Sequence, residues 1–393
     1  MTNAPTLRRS MTVAALLAGA LSTTCVSAAN AASPHRDDLL KHDVAAFKAL
    51  GATGAQARLT TSHGRDLTAT GGVADLKTKR PVSPNGYFRI ASVTKAFTAT
   101  VIMQLAAEGR LSVDDKVERW LPGVVSKNGN DGRKISIRNL LQHTGGVHDD
   151  YPEFTSADDF YKHRNDVYTA RQIVDRAMRH KPDFQPPAKK WMYSNTGYVL
   201  LGMIIQRATG HTWQTEIRDR ITRPLGLKHT FANGTNPKLP SPHAKSYQRF
   251  APGGPLIDVT EQVGLVSNGE AGLVSTTADL NRFFRALAAG RLLPPKQMKQ
   301  MRTTVPVGAK FQPLMPHARD GLGIFSRPLT CGGRYWGHEG GDSGWISTVA
   351  VTADGRRSVA LSLTGVNANS EADVLRIVKA EDKLVDDALC KTH

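Results

Sequence analysis

Phe88-Arg89-Ile90-Ala91-Ser92-Val93-Thr94-Lys95-Ala96-Phe97-Thr98-Ala99 is the stretch from which the rest of the chain can be read. Its first four residues suggest a short extended lead-in. From residue 92 to 108 the pattern predicts a helix, with Gly109 as its stop. That helix is apolar nearly all round: Val93, Ala96, Phe97, Ala99, Val101, Ile102, Met103, Leu105 and Ala106. Such a helix belongs in the centre of a core. Lys95 therefore stands in the first turn of a buried helix, with Ser92 on the same face three residues earlier. A serine hydroxyl is a weak nucleophile until a base takes its proton. Lysine is a base only when neutral, and both burial and the positive helix end disfavour its charge. Ser-x-x-Lys alone is a common tetrapeptide, whose plain reading is a capping serine and a surface lysine. The apolar surroundings argue against that reading.

Working outward, residues 33–51 read as a helix, with Leu39, Leu40, Val44, Phe47 and Leu50 at helical spacing. Strand-like runs follow at 57–61 and 67–73, around a turn at His63-Gly64-Arg65. Residues 111–250 read as mostly helix and loop, with helices at 135–142, 170–179 and 196–209; another runs from 277 to 289. Strand runs return at 344–351 and 357–363, joined by Ala353-Asp354-Gly355, a hairpin signal. A last helix spans 371–389. Strands at both chain ends with helices between them predict an α+β fold: one antiparallel sheet built from both termini, flanked by helices, with 111–250 as a mostly helical insertion.

Two further clusters carry chemistry. Tyr193-Ser194-Asn195 opens the 196–209 helix. A tyrosine can relay a proton, and an asparagine can bond both a lysine and a substrate amide. Trp336-Gly337-His338-Glu339-Gly340-Gly341 places a histidine among glycines, where another backbone can approach closely and a backbone N–H can meet an oxyanion. Taken together and in order, Ser-x-x-Lys, Tyr-x-Asn and His-x-Gly resemble the signature of penicillin-recognising serine hydrolases. The chain is similar over nearly its whole length to the serine β-lactamase / D-alanyl-D-alanine carboxypeptidase superfamily, on the branch of class C β-lactamases and secreted Streptomyces-type D,D-carboxypeptidases. Leu140-Leu141-Gln142-His143-Thr144-Gly145-Gly146, Ala271-Gly272-Leu273-Val274-Ser275-Thr276 and Gly321-Leu322-Gly323 add to the likeness.

That resemblance implies a β-lactamase/transpeptidase-like fold and an acyl-enzyme on Ser92. Lys95 and Tyr193 would share the acid and base work, in an order left open. Asn195 would position Lys95 and the acyl side chain, and His338 would replace the basic strand residue of the family. The backbone N–H groups of Ser92 and Gly341 would form the oxyanion hole, and His143 would be structural. A D-alanyl-D-alanine carboxypeptidase acting on peptidoglycan peptides, and meeting β-lactams, is the implied activity. A family esterase or D-amino-acid peptidase/amidase is the alternative, and a non-catalytic penicillin- or cell-wall-binding module a further one.

The sequence departs from the carboxypeptidase pattern at one place. Hydroxyl residues that help grip a terminal carboxylate are replaced by Glu339 and Gly341, on either side of Gly340. Two carboxylates about 4 Å apart repel by roughly 4 kcal/mol at an effective dielectric of 20. Arg327 and Arg334 are the candidates to pair with Glu339 or to grip the carboxylate. The expectation is a preference for esters or peptides lacking that carboxylate. Rival hydrolase signatures fail: Gly341-Asp342-Ser343-Gly344 lacks an upstream His beside a Cys, no Gly-x-Ser-x-Gly is present, and His338-Glu339 has no second histidine at helical spacing. No metal or cofactor is expected.

Composition sets the remaining bounds. The chain has 393 residues, 40% hydrophobic and 22% charged, enough for one large domain over 32–393. The net charge is +17. The basic residues are scattered, with no long run and no aromatic interleaving, so nucleic acid is not an expected partner. Arg8 and Arg9, an apolar run from Met11 to Leu21, and small residues up to Ala31 lay out a secretory signal peptide over 1–31, too short to span a bilayer. Cleavage there would remove Cys25 and leave Cys331 and Cys390, a disulfide candidate in an oxidising compartment, with two free thiols as the other reading. The same pair resembles the bridge of the Streptomyces enzymes. A secreted monomer with a small peptide or ester substrate and no transmembrane segment is expected.

Overall fold

Seven residues of one chain end lie against seven of the other. In the computed structural model, which describes residues 36–264, 268–366 and 370–391, β1 (Gly54–Thr60) and β2 (Asp66–Gly72) form the N-terminal hairpin. Its turn closes where Thr61 N donates to Arg65 O at 2.9 Å. The C-terminal third supplies β3 (Val305–Pro306), β4 (Arg319–Asp320), β5 (Phe325–Pro328), β6 (Arg334–Asp342), β7 (Trp345–Thr352) and β8 (Ser358–Thr364). The sheet order is β2-β1-β8-β7-β6-β5-β4-β3, and every neighbouring pair is antiparallel. Gly54 faces Thr364 and Thr60 faces Ser358. Both strands of that central pair are buried along their whole length, because the sheet is covered on both faces.

One face carries α1 (Arg36–Ala49) and α5 (Glu371–Cys390). Leu40, Val44 and Phe47 of α1 meet Ile377, Leu384, Val385 and Leu389 of α5 over Leu59, Leu361 and Leu363. The other face carries α4 (Thr277–Ala288), whose Leu280, Phe283 and Phe284 join the larger core. That core centres on α2 (Thr94–Ala107) and α3 (Asn195–Thr209). Phe97 of α2 stacks on Phe283 of α4 with ring centroids 3.7 Å apart. The expected all-round burial of α2 holds: eleven of its residues are buried, Lys95 among them.

The departures from the sequence reading have local causes. The helix expected from residue 92 begins as a 3-10 turn, Ala91–Val93, and turns α-helical at Thr94. The lead-in is a two-residue strand, Phe88–Arg89, paired with Leu273–Ser275. The helix Pro295–Met301 and strands β3 to β5 were not foreseen. β3 and β4 have two residues each and β3 and β5 contain prolines, so neither length nor alternation announces them. Among the described residues no helix is long and apolar enough to cross a membrane. The signal peptide expected over 1–31 lies outside the described residues.

Cys331 and Cys390 are bridged, with Cα atoms 5.5 Å apart. The bond ties the loop after β5 to the last turn of α5. It closes a loop of 59 residues, which stabilises the fold by about 4 kcal/mol through lost unfolded-chain entropy. Replacing both cysteines by serine is expected to lower the unfolding free energy by about 2–4 kcal/mol, measured as a lower urea midpoint with a steeper slope, because the unfolded chain without its cross-link exposes more surface.

Candidate active site

Ser92 is delivered by a constrained turn. Ile90 N is held by Leu273 O at 3.1 Å, and Val93 N closes on Ile90 O at 3.0 Å. Between them Ala91 sits at φ +44°, in the left-handed region that a side chain disfavours. One turn on, Lys95 is fully buried. Its Nζ donates to Ser92 Oγ at 3.0 Å, Asn195 Oδ1 at 2.7 Å and the Glu270 carbonyl at 3.0 Å. An ammonium has three donors, and all three are used. Burial pushes the Lys95 pKa down, while the charges of Glu270 and Asp149 push back.

The second wall is the start of α3. Ser194 caps it, its Oγ accepting from Gly197 N at 3.1 Å. The Asp149 carboxylate lies across the same helix end, where negative charge is favoured. It accepts from Asn195 N at 2.8 Å, Asn195 Nδ2 at 3.0 Å, Thr196 N and Thr196 Oγ1 at 2.8 Å each, and Ser194 Oγ at 3.1 Å. With its amide nitrogen held there, Asn195 turns its oxygen to Lys95. His143 brackets Tyr193: its Nδ1 accepts from Ser194 N at 3.1 Å, and its carbonyl accepts from Met192 N at 3.0 Å. Its ring lies 4.3 Å from that of Tyr193. Loss of solvent around Tyr193 pushes the phenol well above its ordinary value, against a hydrogen bond with Ser92 that lowers it.

The third wall is β6. His338 Nδ1 lies 2.6 Å from the Glu339 carbonyl. A carbonyl only accepts, so Nδ1 carries the proton and Nε2 is left as an acceptor. Burial pushes the His338 pKa down to about 3, so the ring is neutral and brings no positive charge to the place of the family's basic strand residue. At Gly340 the strand presses on the nucleophile turn. A Cβ there would stand 2.5 Å from Ile90 O and 3.0 Å from Ser92 N. Ser347 Oγ pins the same Ile90 carbonyl at 2.9 Å. This contact puts Gly341, the next residue of β6, beside Ser92 in the wall of one cavity of about 350 Å³.

The expected carboxylate-binding set needs correcting. Glu339 follows His338 on a strand, so its side chain leaves from the opposite face. There Arg327 Nη1 donates to Glu339 Oε1 at 3.0 Å, and Arg327 Nη2 to Asp382 of α5. Arg334 is spent on Ser326 Oγ at 2.8 Å, Ser326 O at 2.7 Å and His317 O at 2.9 Å. Neither arginine, nor Glu339, lines the cavity. Its acids are instead Glu153, Glu270 and Asp342, and among the described residues its lining holds no lysine, arginine or histidine. Sequence reasoning missed Asp149, Glu153, Glu270 and Asp342. Asp342 adjoins a motif that had been quoted, and strand alternation was the available signal for Glu339.

The sequence profile of the beta-lactamase family matches residues 38–382. The chain belongs to the beta-lactamase family. Its similarity extends to a D-stereospecific amidohydrolase from Streptomyces sp., 36% identical at a TM-score of 0.79, over 91% of this chain and 99% of that one. A D-amino acid amidase from Ochrobactrum anthropi SV3 is 27% identical at a TM-score of 0.75, over 89% and 97%. Penicillin-binding protein 4* of Bacillus subtilis is 34% identical over 226 residues, which are 55% of this chain and 48% of that protein. The chain spans about half the length of the curated relatives it matches. The fold is thus β-lactamase-like, that of a family of serine hydrolases.

The close approach at Gly340 gives a direct test. Gly340→Ala is expected to slow Ser92 acylation about 100-fold, the scale of one lost oxyanion donor, read as the rate of fluorophosphonate labelling.

Proposed function

We propose that the protein is a secreted serine amidase, esterase or peptidase that forms an acyl-enzyme on Ser92 and prefers substrates with no free carboxylate after the scissile bond. The observation that carries this is the cavity lining: three acids and no cation. A terminal carboxylate entering it meets Glu153 and the buried carboxyls of Glu270 and Asp342, and the lining offers it no cation. The reading of a substrate without that carboxylate is thus proposed on different acids from Glu339. The names of two relatives, a D-stereospecific amidohydrolase and a D-amino acid amidase, point the same way. Secretion rests on the leader-like pattern of residues 1–31.

In this reading neutral Lys95 takes the Ser92 proton as Oγ attacks the carbonyl carbon. The oxygen that gains the negative charge is met by the N–H groups of Ser92 and Gly341. Lys95, now an ammonium, returns the proton through the Tyr193 hydroxyl to the leaving nitrogen or oxygen, and the carbonyl–leaving-group bond breaks. Water attacks the ester by the same route and frees Ser92. Tyr193 serves as relay rather than resting base, because burial keeps its phenol protonated. Lys95 serves as base, because burial lowers its pKa. Asn195 holds Lys95 in line. His338 is a neutral acceptor at the rear of the site.

A D-alanyl-D-alanine carboxypeptidase is the second reading, favoured by the likeness to penicillin-binding protein 4* and opposed by the cavity charge. Hydrolysis of a D-Ala-D-Ala peptide is compared with that of its C-terminal amide and of a D-amino acid amide. The carboxyl-free substrates are expected to react at least about ten times faster in kcat/KM; the free acid reacting faster would overturn the proposal. Ser92→Ala is expected to abolish both turnover and fluorophosphonate labelling.

The pH dependence follows from the sign of the lysine shift. Acylation needs neutral Lys95, so its rate rises with pH. The midpoint is expected well below the value of about 10.4 for a free lysine, measured as the pH profile of the acylation burst.

A further inference from the structure

A groove of about 1300 Å³ shares no lining residue with the nucleophile cavity. Three stretches of chain build it: residues 183–192, which lead into Tyr193; the turn at Arg133 and Lys134, with Lys116 beside it; and β3 with the three residues that follow it. Its charge is the reverse of the cavity's. Lys116, Arg133, Lys134, Lys189 and Lys190 line it against one acid, Asp183, which already lies 2.8 Å from His148 Nδ1. Arg133 is paired with Asp131 at 2.9 Å. The other four cations have no ion-pair partner among the described residues. Lys116 Nζ donates to Lys134 O and Lys134 Nζ to Gln185 Oε1, each at 3.2 Å, and both oxygens are neutral. Asp114 and Asp131 act on these two lysines only at longer range. Lys189 and Lys190 are exposed and make no side-chain hydrogen bond among the described residues. Four cations around one groove set up a positive field that an anionic partner relieves.

The rest of the lining is largely apolar, with Phe184, Trp191, Met192 and Val307. Trp191 is held rigidly. Its Nε1 donates to Asp320 Oδ2 at 2.8 Å, its ring meets Phe311 edge-on, and a Cβ on Gly308 would stand 2.7 Å from its carbonyl oxygen. A fixed aromatic surface of this kind is what anchors a partner's side chain. One wall is the outer edge of the sheet, because β3 ends the strand order. A strand edge suits an extended chain. Pro306 has no N–H to give, so side chains rather than a long ladder must select the occupant.

We propose that this groove docks an extended acidic peptide in which acids alternate with apolar side chains. Successive side chains of an extended chain point to opposite sides. The acids then reach the lysines while the apolar groups cover Trp191 and its neighbours. The volume also exceeds the roughly 300–1,000 Å³ of small-molecule sites. Charge disfavours two occupants nearer to hand. Residues 1–35 hold Arg8 and Arg9 and no Asp or Glu, and a second copy of the chain brings a net charge of +17. A phosphate polymer would satisfy the lysines but leave the apolar surface uncovered. The groove takes no part in the Ser92 chemistry, yet it adjoins the catalytic frame: Trp191 and Met192 lead into Tyr193, and Gln142 and Thr144 flank His143.

The test reads the fluorescence anisotropy of a fluorescein-labelled octapeptide that alternates Glu or Asp with Phe or Leu. A comparison peptide carries the same acids with serine at the apolar positions. The wild-type protein is expected to bind the alternating peptide at least about tenfold more tightly than the serine peptide, the scale of one well-seated anchor. Lys189→Glu combined with Lys190→Glu is expected to weaken that binding at least about tenfold, since like charges then face each other. Lys77→Glu combined with Lys79→Glu makes the same change in net charge just after β2, at the other edge of the sheet. It is expected to change affinity less than about twofold, because distant exposed charges are screened. Both lysine pairs are exposed, so neither variant disturbs the core. No binding, equal binding of the two peptides, or the same result in both double variants would overturn the inference. So would tighter binding of inorganic polyphosphate, or of vesicles of equal parts phosphatidylglycerol and phosphatidylcholine, than of the alternating peptide. Fluorophosphonate labelling of Ser92 in the same samples tests the hydrolase reading separately.

Discussion

A fully buried ammonium with three fixed acceptors governs this structure. Lys95 draws one acceptor from its own helix turn, one from the start of α3 and one from the segment before Leu273. Three separate parts of the chain must therefore meet at one nitrogen, or a charge is left unpaired in the core. Leaving it unpaired costs several kcal/mol. Much of the surrounding architecture serves that meeting: Asp149 orients Asn195, Thr98 holds Gly269, and Leu273 receives Ile90.

The arrangement is also poised. All three acceptors take a hydrogen from Lys95 at once only while it is charged, yet catalysis needs it neutral. Burial outweighs the opposing carboxylates and lowers the lysine pKa to about 8. Small changes in local charge then have large effects on the population of the reactive form, since one pKa unit is about 1.4 kcal/mol. Neutral His338 on the far side keeps that balance free of a competing cation.

The buried helix and its lysine were legible because an ionisable residue in an apolar stretch has few bland explanations. The two-ended sheet was legible from its hairpin signals. Asp149 was not, because it sits in an aperiodic polar loop and acts across 46 residues. Glu270 was hidden in the same way. Glu339 was misplaced because a motif was read as a string; His338 and Glu339 are adjacent in sequence but lie on opposite faces of a strand. The short strands β3 to β5 carry little pattern of their own; β5 pairs with the long β6, β4 with β5 and β3 with β4.

The pairing of β1 with β8 also has a consequence for the order of synthesis. Gly54 and Thr364 are 310 residues apart. A chain made from its N-terminus exposes the β1–β2 hairpin early and can complete its sheet only when nearly everything else has been made. Contacts of such long separation close slowly. The strand that walls the nucleophile, β6, belongs to the same late third. A nascent chain carrying Ser92 and Lys95 therefore has no working site, and the reactive serine stays silent until the last strands arrive.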